Sequence, residues 1–191
     1  FTEFREKRLA VIVLDAGVTG HQVFTTMHAD NIEKTLVRLL QMGFSRDMIS
    51  AGFQGICSQT LIQTLCPSCK IEDAEASQMA QTEIFREDLS GDCAFCKNGF
   101  QGRTAIAEIL LFDDDIREWI EEGLLPREIA SRAIQTGKYV PMKKKALQKY
   151  REGQTSALEI QRKFALNIES SPIVEENIFD DLDDDFIEAE F

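Results

Sequence analysis

Residues 66–103 read CPSCKIEDAEASQMAQTEIFREDLSGDCAFCKNGFQGR, a polar, cysteine-punctuated stretch set between two regions of apolar periodicity. Cys66-Pro-Ser-Cys69 and Cys93-Ala-Phe-Cys96 are two CxxC pairs separated by 23 residues. A two-residue spacer lets a tight turn aim both sulfurs at one ion, and zinc takes four thiolates in a tetrahedron at about 2.3 Å. Two such turns complete the shell and leave no position for water, so such a site is structural, tying a weakly hydrophobic segment to itself. The other states open to these residues are a pair of disulfides or four separate thiols. The chain carries no export signal, so it is expected in the cytoplasm, where thiols stay reduced. Cys57 lies outside both pairs, inside what reads as an apolar helical face, and is expected to be a small buried hydrophobe and not a fifth ligand.

On the N-terminal side, residues 4–17 (FREKRLAVIVLDAG) are apolar at so many positions that a buried helix and a strand fit equally well, and Gly17 and Gly20 end the run. Residues 21–28 (HQVFTTMH) have the β-branched and aromatic content of a short buried strand that delivers His28 to its end. Asn31–Met42 is expected to be an amphipathic helix with Ile32, Leu36, Leu39 and Leu40 on one side, Asp30 as N-cap and Gly43 as stop. Ser45 starts a further helix whose apolar face, Ile49, Phe53, Ile56, Leu61 and Leu65, runs on to Cys66. On the C-terminal side, Thr104–Phe112 (TAIAEILLF) reads as a strand and Asp113–Glu122 as a short helix. Pro126 and Gly137 frame another helix. Residues 141–151 and 156–165 give two more, the last opened by Thr155 or Ser156 with Glu159 in capping-box spacing.

The 191 residues are 43% hydrophobic and 28% charged, enough for one sizeable core and a small satellite. No apolar run approaches the roughly 20 residues of a membrane span. The net charge of -12 is unevenly placed: residues 1–163 hold 21 basic against 23 acidic side chains, while the tail has ten acidic and no basic ones. Neither part has the basic surface of a nucleic-acid binder. In the tail, Ile178, Leu182 and Phe186 recur every four residues among Asp180, Asp181, Asp183, Asp184 and Asp185. Such aspartate density disfavours a stable isolated helix, so residues 167–191 are expected to be disordered, serving as a solubilising tail or folding on a basic, apolar-grooved partner.

Thr19-Gly20-His21, Thr26-Met27-His28-Ala29-Asp30-Asn31, Leu65-Cys66-Pro67-Ser68-Cys69 and Gly102-Arg103-Thr104-Ala105-Ile106-Ala107-Glu108 occur in this order. With these segments residues 1–165 resemble the P-loop ATPases of type II secretion and type IV pilus assembly. The resemblance implies an α/β fold: the C-terminal part of a RecA-like P-loop ATPase domain, with a small tetracysteine zinc module and C-terminal helices. It divides the chain into ATPase core (1–65), zinc module (66–103), C-terminal strand and helical subdomain (104–166) and acidic tail (167–191). It makes Cys66, Cys69, Cys93 and Cys96 ligands of a structural zinc ion and places the two histidines, His21 and His28, in a histidine box, His28 sensing the γ-phosphate.

The family's second acidic motif aligns with Thr2-Glu3-Phe4-Arg5-Glu6, where Glu3 and Arg5 match and two positions differ. By resemblance Glu3 orients or deprotonates the attacking water, as phosphoryl transfer to water requires; otherwise it is a solvated terminal acid. His28 is otherwise a satisfied core histidine and His21 a structural one. Arg103, Arg5 and Arg38 offer the planar guanidinium fork that phosphate takes. A phosphate loop, Gly-x4-Gly-Lys-Ser/Thr, does not occur in the sequence. The chain is therefore expected to be a fragment starting at the second acidic motif, or a degenerate relative. The complete protein would bind ATP and Mg²⁺ as a cytoplasmic homo-hexamer at the inner face of the membrane, driving pilin or pseudopilin assembly through a membrane platform protein. The alternative is a non-hydrolysing, zinc-stabilised scaffold that docks to the same machinery.

Overall fold

The structure, a computed structural model, describes residues 20–166. The apolar run 4–17, Glu3, Arg5 and the acidic tail 167–191 lie outside the described residues. In chain order the elements are α1 (Ile32–Gln41), α2 (Arg46–Gly52), β1 (Gly55–Leu65), β2 (Ile71–Glu72), α3 (Ala74–Ala80), β3 (Phe85–Arg86), β4 (Phe100–Leu111), α4 (Asp114–Glu121), α5 (Pro126–Gln135), α6 (Met142–Arg151) and α7 (Ala157–Phe164).

Ile32, Leu36 and Leu39 recur at helical spacing, and α1 buries all three. Its N-cap is Asn31 and not Asp30. A cap needs extended backbone immediately before the first helical residue; Asn31 has it (φ -154°, ψ 175°), and its side-chain oxygen accepts the Lys34 N–H at 2.8 Å. Asp30, one residue too early, pairs instead with Lys34 Nζ at 2.8 Å. Ser45 opens α2 as expected, accepting from Met48 N at 3.3 Å.

The apolar face from Ile49 to Leu65 does not continue as one helix. The chain leaves α2 at Gly52 and extends into β1, where Ile56, Ser58 and Ile62 are buried at even spacing and Cys57, expected inside, is exposed on the opposite face. The same sparse apolar residues fit periods of 3.6 and 2; pairing with a second strand decides between them. That strand is β4. At one end Phe112 N donates to the Gln54 carbonyl (3.0 Å), at the other Cys66 N donates to the Gly99 carbonyl (2.8 Å), so the two strands run in opposite directions. A Cβ at Gly55 would lie 2.7 Å from the Leu110 carbonyl oxygen, so this close approach excludes a side chain. Residues 21–28, expected as a short buried strand, form neither strand nor helix, with His21, Phe24 and His28 exposed. Extended propensity needs an adjacent edge, and the strand pairs among the described residues are β1–β4 and β2–β3.

Two compact units divide the chain: one runs up to Thr60 and includes Ala107–Met142, the other comprises Leu61–Ile106 and the chain from Lys143. In the first, α2 packs on α4 and α1 on α5 around Leu36, Leu39, Ile49, Leu110, Ile116 and Ile129. Asp113 caps α4 through Ile116 N at 3.0 Å, and Arg46 donates to the Leu124 carbonyl at 2.8 Å beyond that helix's C-terminus. In the second, Ile62, Ile84, Ile106, Tyr150 and Ile160 are buried. Ser156, not Thr155, caps α7 by accepting from Glu159 N at 3.4 Å. The Glu159 carboxylate does not close the capping box: it is buried on Gln63 N (2.9 Å) and Arg162 Nη2 (2.6 Å).

Glu108, in β4, is 3% exposed. One carboxylate oxygen accepts from Ile32 N at 2.7 Å and the other from Met142 N at 2.9 Å, the first backbone donors of α1 and α6. Both donors are orphans of helix N-termini, where the helix dipole also favours negative charge. Burial, Glu108 and Glu33 together push the Tyr139 phenol pKa up. Glu108→Ala would strand two buried N–H groups and is expected to lower stability by about 3 kcal/mol, read from urea unfolding. Glu108→Gln, keeping one acceptor, should cost less. A loss under about 1 kcal/mol for the alanine variant would remove Glu108 from this role.

Candidate functional site

Both CxxC turns sit in the second unit, each next to a strand end. The first follows β1: Cys66 lies directly after Leu65, and its carbonyl accepts from Cys69 N (3.4 Å) and Lys70 N (3.0 Å), which closes the knuckle. The second precedes β4, from which it is separated by Lys97-Asn98-Gly99. Lys97 and Phe100 exchange backbone hydrogen bonds (3.3 and 3.2 Å), with Asn98 at φ 52° and Gly99 at φ 78°. Two left-handed residues in a two-residue hairpin loop form a type I′ turn, and Asn-Gly is its preferred sequence. Gly99 is further constrained, because a Cβ there would meet Asp88 N at 2.7 Å. Its carbonyl accepts from Cys66 N, so this one turn ties the two knuckles together.

Between the knuckles the chain is held by short local devices. β2 pairs antiparallel with β3, Ile71 opposite Arg86 and Glu72 opposite Phe85. Asp73 caps α3 through Ala76 N at 3.1 Å, and fully buried Ile84 has its backbone N–H on Ser77 Oγ at 2.9 Å. No side chain of α3 is buried, so apolar packing contributes little to this segment.

The sulfurs of Cys66, Cys69, Cys93 and Cys96 lie within 4.8 Å of one another; Cys66–Cys93 is 4.0 Å and Cys69–Cys96 is 3.5 Å. A tetrahedron with metal–sulfur bonds of about 2.3 Å has edges of about 3.8 Å. These spacings are close to the edges that a four-thiolate ion requires, and soft donors of this kind select zinc or another thiophilic metal. Desolvation, followed by the neighbouring thiols, pushes the Cys69 pKa up; desolvation also leads the upward shift of Cys96. At Cys66 desolvation is outweighed by the Ser68 N–H and the other three thiols, and its pKa is lowered. One thiolate thus forms readily and discourages its neighbours, a conflict that a divalent cation at the centre removes. Cys57 is not part of this group.

Of the other residues singled out in the sequence, four are described, three in the first unit and one in the second. His21 and His28 are exposed in the irregular segment before α1, and Arg38 is exposed on the helix face opposite Leu36 and Leu39; all three are in the first unit. Arg103 is exposed on β4 in the second unit. Glu3 and Arg5 fall outside the described residues. Two features escaped the sequence reading. The Asn98-Gly99 dipeptide was available as a hairpin signal, whereas Glu108, noted as the last residue of a motif, gave no sign of its two distant backbone partners.

Residues 1–162 match the family described as type II/IV secretion system protein. The chain is 33% identical over 168 residues to the type II secretion system protein E of Dickeya dadantii, covering 84% of this chain and 33% of that protein. It is 35% identical over 171 residues to the type II secretion system ATPase E of Vibrio cholerae, again 84% and 33%. With the type IV pilus assembly ATPase PilB of Pseudomonas aeruginosa it shares 32% over 168 residues, 84% of this chain and 30% of the other. The chain thus spans about a third of the length of these relatives. Among solved structures, the Legionella pneumophila ATPase DotB superposes with a TM-score of 0.59 at 22% identity over 86% of this chain and 37% of that one. The pilus retraction motor PilT with bound ADP gives 0.58 at 20%, over 85% and 38%.

Replacing any one of Cys66, Cys69, Cys93 or Cys96 by serine is expected to release a bound metal ion and raise amide exchange across residues 66–103. Cys57→Ser should keep one ion per chain. Elemental analysis of the purified variants reads the outcome, and undiminished metal in Cys93→Ser would refute the site.

Proposed function

The chain belongs to the type II/IV secretion system protein family, and from that premise we infer that it is the C-terminal portion of a hexameric ATP-hydrolysing motor that drives assembly of a type IV pilus or a type II secretion pseudopilus. Its fold is the α/β fold of these ATPases, here the C-terminal part of a RecA-like P-loop domain with a tetracysteine module and C-terminal helices. The observation that carries the reading is the family match over residues 1–162, in a chain that corresponds to about a third of its relatives and has no phosphate loop. On this reading the P-loop and the bound Mg²⁺ belong to the remainder of the complete protein.

The proposed roles follow the motifs. Glu3 positions the water that attacks the γ-phosphate, and His28 senses that phosphate from the segment before α1. His21, Arg5, Arg38 and Arg103 supply further contacts to nucleotide. Exposure of His21, His28, Arg38 and Arg103 supports such roles, since a residue that meets a ligand held by another part of a hexamer must be reachable. Residues 1–65 are the ATPase-core part, 66–103 the module held by a structural zinc ion on Cys66, Cys69, Cys93 and Cys96, 104–166 the C-terminal strand and helical subdomain, and 167–191 the tail. Zinc supplies no chemistry to hydrolysis here; a closed thiolate shell has no free position for water. No helix among the described residues is long and apolar enough to cross a membrane. The motor is placed in the cytoplasm, peripheral to the inner face of the membrane, with an inner-membrane platform protein as partner.

The test uses the complete protein. Glu3→Gln and His28→Ala are each expected to lower ATP turnover about a hundredfold or more while nucleotide binding changes little. The 191-residue chain alone is expected to hydrolyse no ATP, because it lacks the lysine-bearing loop for the β- and γ-phosphates. Turnover unchanged by either substitution, or Mg-dependent hydrolysis by the chain alone, would overturn the assignment.

A further inference from the structure

The four sulfurs of the cluster do not meet solvent equally. Cys66 is fully buried, whereas Cys69, Cys93 and Cys96 are half-buried. Cys66 is also fixed through its backbone: its N–H donates to the Gly99 carbonyl at 2.8 Å, and its carbonyl accepts from Lys70 N at 3.0 Å. Two sulfur contacts run from one knuckle to the other. Cys69 Sγ lies 3.5 Å from Cys96 Sγ, and Cys66 Sγ lies 4.0 Å from Cys93 Sγ. The first joins two thiols that solvent reaches; the second has one member enclosed by protein.

A disulfide holds its sulfurs at about 2.05 Å, so Cys69 and Cys96 would have to close by about 1.5 Å. They are 27 positions apart in the chain and belong to different knuckles. A bond between them therefore ties together the same two turns that a shared metal ion ties. The segment between the knuckles buries no side chain of α3, so it depends on a cross-link of one kind or the other.

We propose that the cluster is a redox switch, in which a hydroperoxide converts Cys69 and Cys96 into a disulfide across the knuckles and the metal ion is given up. The proposal rests on the four-thiolate reading of the site and not on the motor reading. When bound, zinc keeps the sulfurs as thiolates, the form that reacts with peroxide. The Cys69 thiolate attacks one oxygen of hydrogen peroxide, the O–O bond breaks, hydroxide leaves, and Cys69 becomes a sulfenic acid. The Cys96 thiolate then attacks the Cys69 sulfur, forming the S–S bond and expelling a second hydroxide. Two electrons pass from the two sulfurs to the peroxide, and two protons from solvent turn the hydroxides into water. The roles of Cys69 and Cys96 can be exchanged, since solvent reaches both. Cys66 and Cys93 remain, and two thiolates do not make the closed shell of four that retains a structural ion. A dithiol reduces the bond again and restores the ligands, so the switch is reversible and the knuckles stay joined in both states.

The experiment uses the complete protein carrying Cys57→Ser, which removes the exposed thiol outside the cluster. Its metal content is measured before any oxidant is added. A metal-free protein at that stage refutes the four-thiolate site itself, a failure distinct from that of the switch. With metal present, hydrogen peroxide in severalfold excess is expected to release one ion per chain to a chromogenic chelator. Peptide mass spectrometry should then find Cys69 linked to Cys96, and a dithiol with added zinc should return both the ion and the thiols. Amide exchange across residues 66–103 should rise less in the oxidised protein than in Cys69→Ser, which loses the ion without gaining the cross-link. Metal retained under peroxide overturns the proposal. So does a bond mapped within a knuckle, Cys66 to Cys69 or Cys93 to Cys96, or confined to Cys66 and Cys93, or sulfinic acid in place of a disulfide.

Discussion

The antiparallel pairing of β1 with β4 is the constraint on which the rest of the structure depends. β1 delivers Cys66 from its C-terminal end, and β4 takes over from the turn that follows Cys96. A slip of one residue would turn every side chain of the moved strand to the other face. It would expose Ile56 and Ile62, draw the first knuckle away from the second, and carry the Glu108 carboxylate away from the backbone donors it serves. Gly55 and Gly99 guard this register in different ways. At Gly55 the partner backbone passes too close for a Cβ; at Gly99 a left-handed conformation and the closeness of Asp88 act together.

Two kinds of cohesion complement each other in the chain. The first unit has a conventional apolar core, in which α1, α2, α4 and α5 pack together and a buried carboxylate satisfies two helix starts. The knuckle segment of the second unit buries little: α3 has no buried side chain, and Phe95 in the second knuckle is 70% exposed. What substitutes for a core there is polar and directional, a set of turns, caps and a four-sulfur cluster. A metal ion suits such a segment because its binding free energy is folding free energy. The cluster's titration has the same logic: burial pushes the Cys69 and Cys96 thiols up, a shift that a cation among the sulfurs would oppose.

Family membership and the exposed histidines and arginines bear on function at different levels. Membership and fold identify an ATPase lineage concerned with secretion and pili. Among the described residues His21, His28, Arg38 and Arg103 are exposed.

The sequence alone determined whatever depends on near neighbours. Ser45, Asp113 and Pro126 mark helix starts locally, Thr155 or Ser156 marks another that the structure assigns to Ser156, and the CxxC spacing defines a ligand pair through a single turn. The strand after Thr104 was also legible, because its apolar residues are dense. Tertiary structure decided what depends on distant partners. Ile56 and Ile62 fit a helix and a strand equally until β4 lies beside them, and Cys57 turned outward with that choice. Residues 21–28 have strand composition, but no strand edge among the described residues receives them. Glu159 has capping-box spacing, yet its carboxylate is used by Gln63, distant in sequence. Asn31 displaced Asp30 as a cap by a single residue, within the reach of local rules but finer than composition resolves. Glu108 is the clearest case: its residue type is ordinary in a strand, and only the folded chain brings the first N–H groups of two helices to its two oxygens. Local hydrogen bonds are encoded by spacing; a buried carboxylate's partners are encoded by the whole path of the backbone.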